Sequence, residues 1–137
     1  MARYTCATGE FRIEPPLTWS EFKDSPYRPE QARTEPDVLF DVETIEVDGS
    51  DGVMLLHRVV AVRPYAPGKP FAYHAGLAET LRKLVDQYGD GHVFTGFFEC
   101  REIRNDVQED WYRLIIQGGD VIHIEPHITW PDEENQP

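Results

Sequence analysis

Apolar runs long enough to cross a bilayer are missing from this chain, whose stretches of hydrophobic residues fall far short of the roughly 20 that a spanning helix needs. The segment Met-Ala-Arg-Tyr-Thr-Cys lacks the apolar core of a secretory signal, so the expectation is a soluble, cytoplasmic protein with no membrane association. Cysteine is scarce. Cys6 and Cys100 are the only two, and in a cytoplasmic domain such a pair reads as two reduced, buried small hydrophobes rather than a bridge. Positive charge is scarce as well: 13 Lys and Arg face 25 Asp and Glu, for a net charge of −12. That balance argues against direct contact with nucleic acid or an anionic membrane. A phosphate-binding loop is also lacking, because Gly118-Gly119 stands between two strand-like segments and not between a strand and a helix.

What is present is material for one packed domain. At 137 residues and 40% hydrophobic, the chain is large enough to bury roughly two thirds of its unfolded surface without disulfides. Residues 1–131 are expected to form a single α+β domain, and 132–137 a polar acidic tail with nothing apolar to dock. Residues 3–14 alternate as a first strand, which Pro15-Pro16 should end. A short helix follows, with Thr18 at the N-cap, Glu21 closing a capping box, and Leu17 placed to staple against Phe22. Val38 to Val47 and Val53 to Val62 read as a hairpin around Asp48-Gly-Ser-Asp-Gly52. One long helix is expected from Tyr73 to Tyr88, where Leu77, Leu81, Leu84, Val85 and Tyr88 form a stripe. His92 to Cys100, Asp110 to Gln117 and Val121 to Trp130 then read as a three-stranded meander.

The expected fold class is therefore α+β: a mainly antiparallel sheet of five or six strands, one long helix packed on one face, and one short capped helix near the N-terminus. Alternation assigns Phe94, Phe98 and Cys100, with Ile122, Ile124 and Trp130, to the face meeting the helix. The opposite face would carry Phe97, Trp111, Arg113 and His123, a mixed aromatic and polar set suited to binding a small ligand with an anionic group. A metal reading of His123, Glu125 and His127 is limited by geometry. Alternate strand residues lie roughly 6.7 Å apart, but residues four apart lie roughly 13 Å apart, too far for both imidazoles to reach one zinc, so at best one pair contributes and a third ligand is needed from His57, His92 or an acidic side chain. No metal, cofactor or catalytic residue is assigned: Cys100 falls among core positions, where a thiol is inert, and no carboxylate pair stands in a pattern that marks an acid and a base.

The densest charge lies between Glu30 and Asp51, where eight acidic residues face Arg33 alone. Within it Asp41, Glu43, Glu46 and Asp48 ride on the predicted hairpin and are the candidate contacts for a basic protein partner.

Two blocks carry a resemblance: Thr8-Gly-Glu-Phe-Arg-Ile-Glu-Pro-Pro-Leu-Thr-Trp-Ser-Glu-Phe-Lys-Asp-Ser-Pro26, and His92-Val-Phe-Thr-Gly-Phe-Phe-Glu-Cys100 followed by Trp111, Arg113 and Glu125 to Trp130. Together they resemble a family of small uncharacterised proteins of streptomycetes, related actinobacteria and their bacteriophages. The resemblance implies no catalytic residue. The setting it implies is that of small acidic proteins that bind a host or rival protein, so the expected function is a non-enzymatic protein-binding module of the inhibitor, anti-defence or immunity-like kind. The alternative is a small-molecule-binding domain or enzyme that uses the Phe97, Trp111, Arg113 and His123 face. An assembly role through a free strand edge is a third possibility, and the chain is expected to be a monomer or homodimer. Arg101 to Glu109 reads as a loop longer than the family's turn.

Overall fold

The structure, a computed structural model, describes residues 3–31, 36–65, 76–104, 108–127 and 130–131. The sheet has six strands: β1 (Arg3–Thr18), β2 (Val38–Gly49), β3 (Gly52–Pro64), β4 (Val93–Arg104), β5 (Gln108–Gln117) and β6 (Asp120–Ile124). Their order is β2-β3-β1-β4-β5-β6, and every neighbouring pair is antiparallel. The first strand is thus the centre of the sheet. A hairpin pairs along one of its edges and a meander along the other.

This arrangement overturns the expected α+β class. The described chain is mostly antiparallel strand, and its helices are short: α1 (Trp19–Phe22) has 4 residues and α2 (Leu77–Tyr88) has 12. Among the described residues, no long helix lies on a sheet face. Gly76, at the N-cap, precedes the first helical residue. The earlier part of the expected helix, 73–75, lies outside the described residues, as does the expected tail at 132–137. The residues that do form α2 keep the expected stripe, with Leu77, Leu81, Leu84, Val85 and Tyr88 all buried. Four of these five join one hydrophobic cluster with Phe11, Phe98 and Leu114 of the sheet.

The strands run longer than their alternation alone predicts. Pro15-Pro16 does not end β1. Its pairing with β4 stops at Glu14 opposite Val93, and its pairing with β3 skips between Arg12 and Leu17, so the prolines fall where the ladder needs no N–H donor. Leu17 and Thr18 then resume pairing with Val59 and Arg58. β4 likewise runs to Arg104 and β5 starts at Gln108, so most of the expected Arg101 to Glu109 loop is strand. β6, by contrast, stops at Ile124, two residues before Pro126.

One face of the sheet is the core face. Phe11, Ile13, Leu17, Phe40, Phe98 and Leu114 are at most 2% exposed there. Phe11 and Phe98 meet at 4.8 Å between ring centroids. The capping box forms as expected: the Glu21 carboxylate accepts from the Thr18 N–H at 3.0 Å, and the helix it starts is a single turn. The Tyr88 hydroxyl donates to the Glu21 carbonyl at 3.2 Å and ties α2 to α1.

Candidate functional site

The outer face of β4, β5 and β6 is built in rungs. Glu99 lies opposite Arg113, which lies opposite Ile124, and Arg101 lies opposite Trp111. Partners in an antiparallel pair share a face, so these five side chains form one surface, with Phe97 beside them. The Arg113 guanidinium sits 4.3 Å from the Phe97 ring centroid and 3.6 Å from the Glu99 carboxylate. Arg101 lies over Trp111 at 5.6 Å and donates to Cys6 Sγ at 3.7 Å. Its buried Nε has no hydrogen-bond partner among the described residues. Phe97 and Trp111 remain 39% and 45% exposed. A depression of about 350 Å³ is lined by Trp111, Arg113, Ile124, Glu125, Pro126 and His127.

The structure therefore brings Phe97, Trp111 and Arg113 together but places His123 elsewhere. His123 is opposite Leu114, on the core-face side, and stacks on Tyr112 at 4.2 Å. Ile122 and Ile124, expected to meet the helix, lie on the outer face instead, and Val121 is the buried residue of β6. The turn decides this. Gly118 and Gly119, at φ of +60° and +80°, make a two-residue connection that closes on Gln117 opposite Asp120. Counting from that closure through Ile116 and Leu114 assigns Val121 and His123 to the inner side, a signal available in the sequence.

The acidic hairpin is longer than the sheet beside it. β1 pairs with β3 as far as Thr18 opposite Arg58, whereas β2 and β3 stay paired for six further rungs, from Thr44 opposite His57 to Gly49 opposite Gly52. The result is a two-stranded arm reaching roughly 20 Å beyond the last rung with β1. The four predicted contacts divide between the two sides of the hairpin, and only Glu46 and Asp48 fall on the arm itself. Asp41 and Glu43 lie on the outer side, where Glu43 pairs with Arg58 at 3.2 Å. Glu46 and Asp48 lie on the other side, opposite Leu55 and Val53. Sequence reasoning missed the apolar run that accompanies them: Val53, Met54, Leu55 and Leu56 are between 43% and 62% exposed. Four consecutive apolar residues ordinarily signal a strand buried on both faces, whereas here the run stands largely in solvent.

A second missed feature is a clasp at the base of the arm. His92 Nδ1 lies 2.6 Å from the Pro15 carbonyl, and Nε2 lies 2.7 Å from the Glu21 carboxylate. Both neighbours accept, so the ring makes both contacts together only when it donates from both nitrogens, as an imidazolium. Burial works against that charge, but the Pro15 carbonyl and the Glu21 carboxylate outweigh it and raise the His92 pKa. The Thr18 N–H, followed by His92, holds Glu21 below the usual carboxylate range.

Cys6 and Cys100 are both free and buried. Cys6 is opposite Arg101, and Cys100 is opposite Ala7, so the two thiols leave the sheet from opposite faces. Burial pushes the Cys100 thiol up to about 11. Among the described residues, no group of three or more His, Cys, Asp and Glu side chains is placed to hold a metal ion. No described helix is long and apolar enough to cross a membrane.

Neither a curated protein nor a solved structure matches this chain. A family model does match, over residues 1–137, and the chain belongs to that family of unknown function, DUF6205.

Proposed function

We propose that this chain is a non-enzymatic protein-binding module whose β2–β3 arm engages a basic partner. The observation that carries the reading is the arm itself. It extends past the sheet that supports it, exposes Val53 to Leu56, and surrounds that apolar run with Glu43, Glu46, Asp48 and Asp51. An apolar centre with a charged rim is the anatomy of a recognition surface, and like-signed charge around it steers an oppositely charged partner. The resemblance to small proteins of actinobacteria and their phages supplies the setting: a phage-encoded inhibitor, anti-defence or immunity-like protein acting in the cytoplasm on a basic host or rival protein. The test is affinity capture from actinobacterial lysate at low and high salt, beside a variant reversed at Asp41, Glu43, Glu46 and Asp48. A stoichiometric basic protein should be retained at low salt, released at high salt and lost with the reversed variant. Capture indifferent to both would end the proposal.

A second reading is favoured by one observation, the juxtaposition of Arg113, Phe97 and Trp111 above the outer-face depression. Such a surface suits a small ligand with an aromatic ring and an anionic group. A thermal shift with a panel of aromatic carboxylates and nucleotides, abolished by Arg113→Ala, is its test.

A further inference from the structure

Beyond its charge, the arm has a free strand edge, and we infer that the partner adds an extended segment to β3 between Gly52 and His57. The inference rests on the protein-binding reading and names how that binding occurs. Among the described residues, β3 pairs in this stretch with β2 alone, because β1 turns away into α1 after Thr18. A two-residue turn closes with a hydrogen-bonded pair, here Gly49 and Gly52. The alternate residues Val53, Leu55 and His57 therefore direct their N–H and C=O groups away from β2, toward the open edge.

Strand edges in proteins are normally guarded by charges, prolines, bulges or covering segments. The other two exposed edges follow that rule. β2 is studded with Asp41, Glu43, Glu46 and Asp48, and its Phe40 N–H is taken by the Tyr27 carbonyl at 2.9 Å. β6 is five residues long, and α2 lies against it. From Gly52 to Leu56 β3 has no charge, no proline and no bulge. Among the described residues it is the unguarded edge, with α1 lying against β3 only at its base, where the Trp19 ring is 6.0 Å from His57.

The two sides of the arm define the chemistry of the incoming strand. On one side Leu55 and Val53 lie opposite Glu46 and Asp48. A Lys or Arg on the added strand would lay its stem over Leu55 and carry its charge toward Glu46. On the other side Met54 and Leu56 lie opposite Val47 and Ile45, with no acid among the four. That side calls for valine, isoleucine or an aromatic residue. The occupant is thus a strand that alternates basic and apolar residues, read by main-chain pairing and by side chains of opposite character on its two faces. A second copy of this chain fits poorly, since each copy carries a net charge of −12.

Amide hydrogen exchange on the full chain tests this, with a short peptide of alternating lysine and valine as the probe and its glutamate-valine counterpart as the control. The lysine peptide should protect the Val53 and Leu55 amides at low salt, and the acidic one should not. Leu55→Pro, which removes an outward N–H and leaves the pairing with β2, should weaken binding at least tenfold. Leu55→Lys, which keeps the N–H and adds a repelling charge, should do the same. The inference is overturned if the amides stay exposed, if both peptides protect equally, or if the free protein already protects them, either with rising concentration or independently of it. Binding that answers to salt and to charge reversal while Val53 and Leu55 stay exposed would leave the acidic-surface reading standing and remove strand addition alone.

Discussion

His92 has a measurable consequence at the scale of a single residue. Its raised pKa means that its stabilising contacts are fully present below its ordinary value of 6.5 and are lost as pH rises through the raised value. Glu21 behaves oppositely: its lowered pKa makes its contribution complete above 4.5 and removes it as pH falls through the lowered value. The stability gap between the natural chain and His92→Leu should be widest between those two values, about 1 to 3 kcal/mol, and narrow on either side. Urea midpoints across pH would show it. Gly9 and Gly96 give a second test. Each has positive φ, and a Cβ on Gly96 would lie 2.2 Å from the Glu10 carbonyl oxygen, while one on Gly9 would lie 2.3 Å from that of Phe97. Either glycine changed to alanine should cost about 2 to 4 kcal/mol, because backbone and not a movable side chain is in the way. The capping box that lowers Glu21 was legible in the sequence, but the His92 clasp and the two glycine contacts were not. His92 meets groups 71 and 77 residues away, and no local pattern marks such a contact.

At the scale of elements, the exposed run of the arm and the buried stripe of α2 look alike in composition and should respond differently. Leu55→Ser and Met54→Ser should each change folding stability by less than about 0.5 kcal/mol, since both side chains are already largely in water. Leu81→Ala, at 0% exposure, should cost about 2 to 5 kcal/mol. Denaturant midpoints of the three variants decide the matter. The hairpin was legible because its glycine-bearing turn and alternating flanks are local signals, and so was the meander. The stripe gives a period but not a start, so it did not mark Leu77 as the first residue of α2. The face of β6 was inverted for a different reason: its more apolar side, with Ile122 and Ile124, is the outer one, and only the two-glycine turn signals that. Which part of β3 is free depends on where β1 ends its pairing, a fact about another strand.

For the whole molecule, charge and shape act together. The acids of the β2–β3 hairpin lie on both its sides, Glu46 and Asp48 on the arm and Asp41 and Glu43 below it, so partner binding should weaken roughly tenfold or more between low and high salt. Core substitutions such as Leu81→Ala should leave that salt slope unchanged wherever the protein stays folded. Titration calorimetry with the partner at several ionic strengths is the check. The strand order has a consequence for how the sheet comes into being. The β2–β3 hairpin closes over a few residues, but β1 finds its β4 partner only once Val93 to Arg104 have been made, 79 or more residues after the β1 residues they meet. As the chain emerges from the ribosome, the central strand must wait, without its β4 partner, until most of the protein has been made, while every residue of the hairpin is already out. The order of synthesis thus exposes the arm's sequence to the cell before the sheet that supports it can close.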